Sequence, residues 1–158
     1  MDKRSIIEKG REVIRIEAAS VAALEPRINE SFARAVEMIY ACRGRTIVTG
    51  VGKSGAIARK IVATLNSTGT PAMFMHPVDA VHGDLGMARK EDVLLCLSKS
   101  GDTEELRNLL PLIKRIGVPV IAMVGSIRSR LADDADIVLD VSVAEEACPH
   151  DLAPTSST

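Results

Sequence analysis

Hydroxyl side chains cluster in one short segment of the sequence, 98–103, which reads Ser-Lys-Ser-Gly-Asp-Thr. Three hydroxyls within six residues can surround a phosphate group with neutral donors, and Gly101 lets the backbone approach a ligand closely. The segment lies between a predicted strand and a predicted helix, whose N-terminus favours an anion. The alternative is that Thr103 is an ordinary helix N-cap and that the serines are turn residues. The segment is a candidate phosphate site.

A second segment, 50–55, is rich in glycine (Gly-Val-Gly-Lys-Ser-Gly) and also stands between a predicted strand and a predicted helix. A dinucleotide fingerprint would need an acidic residue at the end of the next strand, where Met75 and His76 stand. A Walker A motif would need glycine at the position of Ile47. Close packing of helix on strand is the structural alternative. Two such segments at strand ends of one sheet favour anion binding over a turn alone.

The spacing of apolar residues predicts the elements that would position these segments. Two leading helices are predicted at 6–24 and 31–41. The predicted strands are 46–49, 72–75, 93–97, 120–124 and 137–141, and the predicted later helices are 54–68 and 103–116. This alternation predicts an α/β fold, a three-layer αβα sandwich of flavodoxin- or Rossmann-like type with a mostly parallel five-stranded sheet, preceded by two helices. Ligands should then bind at the carboxyl ends of the strands.

Composition restricts the function classes. With 158 residues and 46% apolar content, we expect one domain over 1–158, with leading helices at 1–43 and the core and tail at 45–158. A net charge of -1 provides no general attraction to nucleic acid or to a membrane surface. No apolar run is long enough to span a bilayer, and the three cysteines include no close pair. We therefore expect a cytoplasmic protein without nucleic-acid or membrane partners.

Several blocks of the sequence, in the same order, resemble the sugar isomerase (SIS) domain family. Segment 98–103 is similar to the phosphate loop of that family. Within the family, the chain resembles the arabinose-5-phosphate isomerases over about 46–158. The matching blocks are 50–55, 67–71 (Ser-Thr-Gly-Thr-Pro), 76–77 (His-Pro), 82–87 (His-Gly-Asp-Leu-Gly-Met), 146–149 (Glu-Ala-Cys-Pro) and 152–158 (Leu-Ala-Pro-Thr-Ser-Ser-Thr).

The resemblance implies an aldose–ketose isomerase that interconverts D-arabinose 5-phosphate and D-ribulose 5-phosphate for octulosonate and lipopolysaccharide synthesis. It also implies a homotetramer on the SIS fold, and the reaction needs no redox cofactor. The residues implied to bind the phosphate are Ser54, Ser98, Ser100 and Thr103. The residues implied to be catalytic are Lys53, His82, Glu105 and Glu146.

The four candidate catalytic residues each have a structural alternative. Glu146 lies in a stretch of low charge density, where partial burial would raise its pKa and suit it as the base; the alternative is a solvent-facing acid. Glu105 in a first helical turn also complements the helix dipole. His82 serves in ring opening or proton transfer, or else in a structural hydrogen bond. Lys53 neutralises phosphate or enediolate charge, or is a solvated lysine.

A metal site is not expected. The residues that raise the question are His76, His82, Asp84, Cys148 and His150. Their spacing matches no compact zinc pattern, and isomerisation through an enediol proceeds without a metal.

The sequence departs from the family pattern in two ways. Lys99 and Asp102 stand where the family more often has Asn and Glu. Family members also continue past the position of Thr158 with another helix, a His-Pro-Gly-Gly segment and usually paired CBS domains, so we expect a truncated SIS domain.

The alternatives to an arabinose-5-phosphate isomerase are an isomerase of another phosphosugar, a folded but inactive fragment, and a non-catalytic phosphosugar sensor. A sensor with its own DNA-binding module would need a basic helix-turn-helix, which is not evident in 2–42.

Overall fold

A computed structural model describes residues 2–150 and 153–158 of the chain. Its α-helices are, in chain order, Lys3–Ala22 (α1), Glu30–Tyr40 (α2), Gly52–Ser67 (α3), Pro77–Val81 (α4), Glu104–Ile116 (α5) and Arg130–Asp134 (α6). Its β-strands are Thr46–Thr49 (β1), Ala72–Phe74 (β2), Val93–Ser98 (β3), Val120–Val124 (β4) and Ile137–Asp140 (β5). Single 3-10 turns, Glu25–Arg27 and Asp84–Met87, follow α1 and α4.

The five strands form one parallel sheet in the order β2-β1-β3-β4-β5. Every residue of the inner strands β1 and β3 is buried. Inner strands of a parallel sheet are covered on both faces, which explains their continuous apolar and β-branched runs. The predicted five-stranded α/β fold is confirmed.

Helices cover both faces of the sheet. Leu94 of β3 packs in a core cluster with Leu109 of α5. Its neighbour Leu95 belongs to a second cluster that contains Ala35 of α2 and Ala58 of α3. Because successive strand residues point to opposite faces, these two clusters are the two interfaces of a three-layer sandwich.

The carboxyl ends of β1 and β3 lie side by side. The two strands are adjacent in the sheet, with Thr49 of β1 in register with Cys96 of β3, although β2 lies between them in the sequence. The chain therefore passes from β1 to one side of the sheet and returns to β3 on the other. Such a reversal of strand order opens a crevice outside the carboxyl ends of the two strands. The two segments singled out in the sequence flank this crevice.

The short helices α4 and α6 are the part of the fold that the sequence does not predict. The helices α4 and α6 have five residues each, too few to show a helical period of apolar positions. Two local signals mark their starts. Pro77 occupies the first turn of α4, and Ser129 caps α6 through a hydrogen bond from the Ala132 N–H.

Helix α1 has a different environment from the other long helices, because none of its 20 residues is buried. Its apolar residues Ile6, Ile7, Ile14 and Val21 are all more than half exposed. Within the part of the chain that the structure describes, no helix is long and apolar enough to cross a membrane.

Candidate active site

Segment 98–103 forms a hydrogen-bonded loop between β3 and α5. The Gly101 N–H donates to Ser98 Oγ at 3.0 Å, and the hydroxyl oxygens of Ser98 and Thr103 lie 2.9 Å apart. The Asp102 N–H donates to Ser100 Oγ at 3.2 Å. Thr103 is the N-cap of α5, as the turn interpretation expects, but its hydroxyl makes no capping hydrogen bond. That hydroxyl contacts Ser98 instead, so the position is a cap and the side chain belongs to the loop.

The start of α6 supports the back of this loop. The Leu131 N–H donates to the Gly101 carbonyl oxygen at 3.0 Å, and the Arg130 N–H donates to Asp102 Oδ1 at 3.2 Å. Gly101 has a φ of 70°, and a Cβ there would lie 2.0 Å from Ser129 Oγ. Only glycine fits this backbone conformation and this contact without displacing its neighbours.

The β1–α3 loop is tight because two of its glycines leave no room for side chains. A Cβ on Gly50 would lie 3.0 Å from the Ser54 carbonyl carbon, and a Cβ on Gly55 would lie 2.7 Å from the Gly50 carbonyl oxygen. Helix α3 therefore packs closely on β1, as the structural alternative predicts. The same packing brings Ser54, in the first turn of α3, to the crevice.

Two adjoining cavities, with volumes of about 220 Å³ and 430 Å³, occupy the crevice. The hydroxyl residues that line the larger one include all four of the predicted phosphate-binding residues: Ser54, Ser98, Ser100 and Thr103. Lys99 and Ser157 line both cavities. The smaller cavity extends to Val21 of α1 and to Ile57 of α3, so it is more apolar. The larger cavity has the size of a small-molecule site.

A buried carboxylate lies next to these cavities. Glu146, which follows β5, has a side chain that is only 1% exposed. Its Oε1 accepts hydrogen bonds from Lys99 Nζ and Ser157 Oγ. Its Oε2 accepts from the Thr155 N–H at 2.8 Å and from the Ser157 N–H at 3.2 Å. Glu146 therefore links the loop after β3 to segment 155–157.

The ionisation of Glu146 differs from the sequence prediction. Burial raises its pKa, but the hydrogen bonds from Lys99, Ser157 and the Thr155 N–H outweigh that effect and hold the pKa well below its ordinary value. The expectation of a raised pKa is thus wrong. Glu146 is a carboxylate at neutral pH, able to accept a proton, although the same hydrogen bonds make it a weaker base.

None of the four candidate catalytic residues is among the described residues that line the two cavities, and Glu146 is connected to them through its partners Lys99 and Ser157. Lys53 is exposed in the first turn of α3, and His82 is exposed at the C-cap of α4. Glu105 is half-buried in the first turn of α5. The catalytic roles of these three residues stay predictions.

Two residues at the site were not among the predicted functional residues. Lys99 lies inside the predicted phosphate loop, where the sequence marks it only as a departure from the family pattern. Ser157 belongs to a hydroxyl-rich run, 155–158, that stood in the resemblance without a role. A second hydroxyl cluster near a candidate carboxylate was the available signal for Ser157. No local signal indicated that Lys99 would contact a residue 47 positions away.

Metal ligands are not gathered in the described part of the chain. Among residues 2–150 and 153–158, no three His, Cys, Asp or Glu side chains lie close enough together to hold a metal ion. His76, one of the residues that raised the question, packs its ring edge-on against Phe74 at 6.3 Å between ring centroids.

Comparison with known proteins identifies the family. The sequence pattern of the SIS domain matches residues 38–158. The chain belongs to the SIS domain family. Over 96% of its length, this SIS domain is 51% identical to the arabinose 5-phosphate isomerase KdsD of Pseudomonas aeruginosa. It is 48% identical, also over 96% of its length, to KdsD of Escherichia coli K12. The predicted resemblance is confirmed.

Solved structures agree with the sequence comparison. A structure from Escherichia coli CFT073, in complex with arabinose 5-phosphate, has a TM-score of 0.94 and 38% identity, covering 99% of this SIS domain and 84% of that chain. The SIS domain spans about half the length of the curated relatives it matches, 47% of the Pseudomonas protein and 46% of the Escherichia protein.

Proposed function

We propose that this SIS domain interconverts D-arabinose 5-phosphate and D-ribulose 5-phosphate. One observation carries the proposal: four hydroxyl side chains line a single cavity beside a buried carboxylate network. The names of the KdsD relatives and the sugar phosphate bound to the structural neighbour support this substrate over other phosphosugars.

The phosphate would bind in the larger cavity. Its hydroxyl donors, from Ser54, Ser98, Ser100 and Thr103, are neutral, and the N-termini of α3 and α5 add the positive ends of two helix dipoles. Neutral donors hold a dianion without the strong charge pairing that slows product release. The ammonium group of Lys99 is the nearest charge, and Glu146 balances it.

The reaction itself needs proton transfer between two carbons. The sugar ring opens, a base removes the proton next to the carbonyl, and the resulting enediol takes the proton back on the neighbouring carbon. A donor or cation must stabilise the enediolate oxygen. We assign the base to Glu146, because it is ionised at neutral pH and its partners Lys99 and Ser157 line the cavity.

The other candidates keep supporting roles in this proposal. Glu105, at the start of α5, is the second candidate for the base. His82 would assist ring opening or shuttle a proton, and Lys53 would stabilise the enediolate. All three, like Glu146, are absent from the described residues that line the cavities; Glu146 is preferred as the base because its hydrogen-bond partners Lys99 and Ser157 line them.

The cellular setting is part of the same proposal. We assign the protein to the cytoplasm, as a homotetramer that supplies arabinose 5-phosphate for the synthesis of octulosonate and lipopolysaccharide. Cys96 supports a reducing compartment, since it is an unpaired thiol buried in the sheet, and burial raises its pKa. The unburied helix α1 supports assembly.

The test is turnover of a panel of pentose and hexose phosphates, with arabinose as the unphosphorylated control. We expect arabinose 5-phosphate to be the preferred aldose. Ser100→Ala should raise KM about tenfold with kcat nearly unchanged, because a phosphate donor acts alike on substrate and transition state. The matched control is Ser67→Ala, at the exposed end of α3, which should behave as the wild type.

Three results would contradict the proposal. Binding of phosphosugars without turnover by the full-length protein would favour the sensor function. Preferred turnover of another sugar phosphate would leave the phosphate site in place and change the substrate. Equal KM for arabinose and arabinose 5-phosphate would exclude the phosphate site itself.

A further inference from the structure

Lys99 occupies an unusual position between solvent and a buried charge. Among the described residues that line the two cavities, it carries the one charged side chain. The Lys99 side chain is 54% exposed, whereas that of its partner Glu146 is 1% exposed. The ammonium group therefore closes the cavity side of a buried carboxylate, where water screens the pair less than it screens a surface ion pair.

The backbone of Lys99 is fixed by its neighbours. A Cβ on Gly125, in the loop after β4, would lie 2.7 Å from the Lys99 carbonyl oxygen, so the two backbones are in close contact. The preceding residue, Ser98, is buried and ends β3, and its carbonyl oxygen accepts from the Gly125 N–H at 3.4 Å. The Lys99 side chain thus extends from a part of the phosphate loop that packing holds in place.

Glu146, at the other end of the contact with Lys99, holds segment 155–157, which lines part of the cavities. Besides the hydrogen bonds from Thr155 and Ser157 to Glu146, the Ala147 N–H donates to Thr155 Oγ1 at 2.7 Å. Ser156 and Ser157 line the smaller cavity. Segment 155–157 contains no regular helix or strand, so Glu146 supplies contacts that repeating backbone hydrogen bonds would otherwise provide.

We propose that Lys99 is a positioning residue, which holds Glu146 and segment 155–157 at a fixed place relative to the phosphate loop. This inference rests on the proposed function and deepens it. A phosphate held by the hydroxyls of segment 98–103 then places the sugar carbons at a set distance from the carboxylate. Fixed separation of the binding and reacting groups lowers the barrier to the chemical step more than it tightens substrate binding.

A direct role of Lys99 in binding phosphate would give a different kinetic result. A cation that contacts phosphate stabilises the substrate and the transition state alike, so its loss would raise KM and leave kcat. A residue that positions Glu146 affects the transition state selectively, and its loss lowers kcat. The two roles are therefore separable by steady-state kinetics.

The first experiment compares Lys99→Met, which removes the charge at similar length, with Lys99→Arg, which keeps the charge. We expect Lys99→Met to lower kcat about tenfold or more while KM changes less than about threefold. The Lys99→Arg variant should retain most of the wild-type kcat. Lys114→Met is the matched control, since Lys114 makes an exposed ion pair with Asp134 at 3.1 Å and should behave as the wild type. A raised KM with unchanged kcat in Lys99→Met would overturn the proposal.

A double variant tests whether Lys99 acts through Glu146. If it does, Lys99→Met combined with Glu146→Gln should have the kcat of Glu146→Gln alone. Losses that multiply would mean that Lys99 acts independently, which overturns the proposal. Should Lys99→Met fold poorly, Lys99→Leu also removes both the charge and the donor to Glu146, and the same comparison applies.

Hydrogen exchange separates this inference from the proposed function, because it needs no turnover. The amides of Thr155 and Ser157 donate to Glu146, so Lys99→Met should speed their exchange about tenfold or more, while Lys114→Met should not. Faster exchange in a protein without isomerase activity would uphold the positioning role and refute the function. Unchanged exchange of these amides in an active enzyme would refute the positioning role and leave the proposed function in place.

Discussion

Glu146 illustrates how partners rather than burial alone decide the charge of a single residue. Its surroundings in the sequence carry little charge, which predicts a neutral, high-pKa acid once the side chain is buried. The structure instead brings Lys99, Thr155 and Ser157 to its two oxygens. Several donors around one carboxylate stabilise the charged form more than burial destabilises it.

This arrangement predicts that Glu146 makes stability depend on pH. The folded pKa lies below the ordinary value of 4.5, so the unfolded chain binds more protons near that pH. The stabilisation is complete above about pH 5.5 and is lost as pH falls towards the folded pKa. The Glu146→Gln variant lacks this stabilisation, and its side-chain amide faces backbone N–H donors. We therefore expect its free energy of unfolding to be about 2 kcal/mol lower than that of the wild type at neutral pH.

Urea unfolding of both proteins between about pH 7 and pH 3 measures this effect. The difference in unfolding free energy between wild type and Glu146→Gln should shrink as the pH falls. The exposed neighbour Glu145, changed to Gln, controls for the loss of one negative charge. A difference that stays constant down to about pH 3 would show that the Glu146 carboxylate is not held ionised.

The structure confirms predictions of where single residues lie when those residues are neighbours in the chain. The hydroxyls of segment 98–103 could be assigned to one cavity from the sequence because they are neighbours in the chain. Ser54 came from the family resemblance. The contact of Lys99 with Glu146 joins two loops that only the folded sheet brings together. No pattern within either loop contains that information.

At the scale of elements, segment 98–103 depends on contacts with a helix of only five residues, α6. The first turn of α6 donates two backbone hydrogen bonds to the loop, to Gly101 and Asp102, and Ser129 packs directly against Gly101. Asp102 was noted in the sequence only as a departure from the family pattern. Its carboxylate accepts the Arg130 N–H, which gives the acidic residue a structural role at this position.

The support from α6 predicts a large effect of Gly101→Ala. An alanine at this position would have to keep a left-handed backbone conformation, which L side chains rarely adopt. Its Cβ would also lie 2.0 Å from Ser129 Oγ. We expect unfolding free energy to fall by about 2 kcal/mol or more and the affinity for inorganic phosphate to drop, because the loop must move away from α6. Urea unfolding and phosphate-dependent thermal melting measure the two effects.

Gly117→Ala is the matched control for backbone strain. Gly117 ends α5 with a φ of 88°, and a Cβ there meets no atom within 4 Å. This variant should lose about 1 kcal/mol through strain alone and keep its phosphate affinity. If Gly101→Ala is no less stable than Gly117→Ala and binds phosphate normally, the contact with α6 does not shape the site.

Long helices and apolar strands were predictable and the five-residue helices were not, for a physical reason. The apolar period of α5 extends over 13 residues, and its four buried residues, Leu106, Leu109, Leu110 and Ile113, repeat at helical spacing. β3 is an unbroken run of buried residues. In contrast, α4 and α6 have five residues each, too few for an apolar period to appear in the sequence, and only Pro77 and Ser129 mark their starts.

At the scale of the whole molecule, the order of the strands decides where the site forms. The sequence predicts five strands but does not state that β1 and β3 are neighbours. That adjacency brings Ser54 beside Ser98. The leading part of the chain is tied to the far end of the sheet, where Arg27 lies 3.5 Å from Asp140 and donates to the Ser142 carbonyl oxygen at 2.6 Å. The sheet thus orients the region from which α1 extends.

The exposed apolar side of α1 leads to the last prediction, which concerns assembly. Ile7, Ile14 and Val21 recur every seven residues along one side of the helix and are 54%, 65% and 69% exposed. A row of exposed apolar side chains on a helix without buried residues is typical of a face that packs between subunits. Light scattering at micromolar concentration should therefore show a tetramer, or at least a dimer.

Ile14→Glu places a charge in that face and should yield smaller species, because a buried unpaired carboxylate opposes association. Ala19→Glu introduces the same charge on another, exposed side of α1 and should leave the assembly intact. A wild-type monomer, or equal effects of the two substitutions, would contradict a subunit contact through this face.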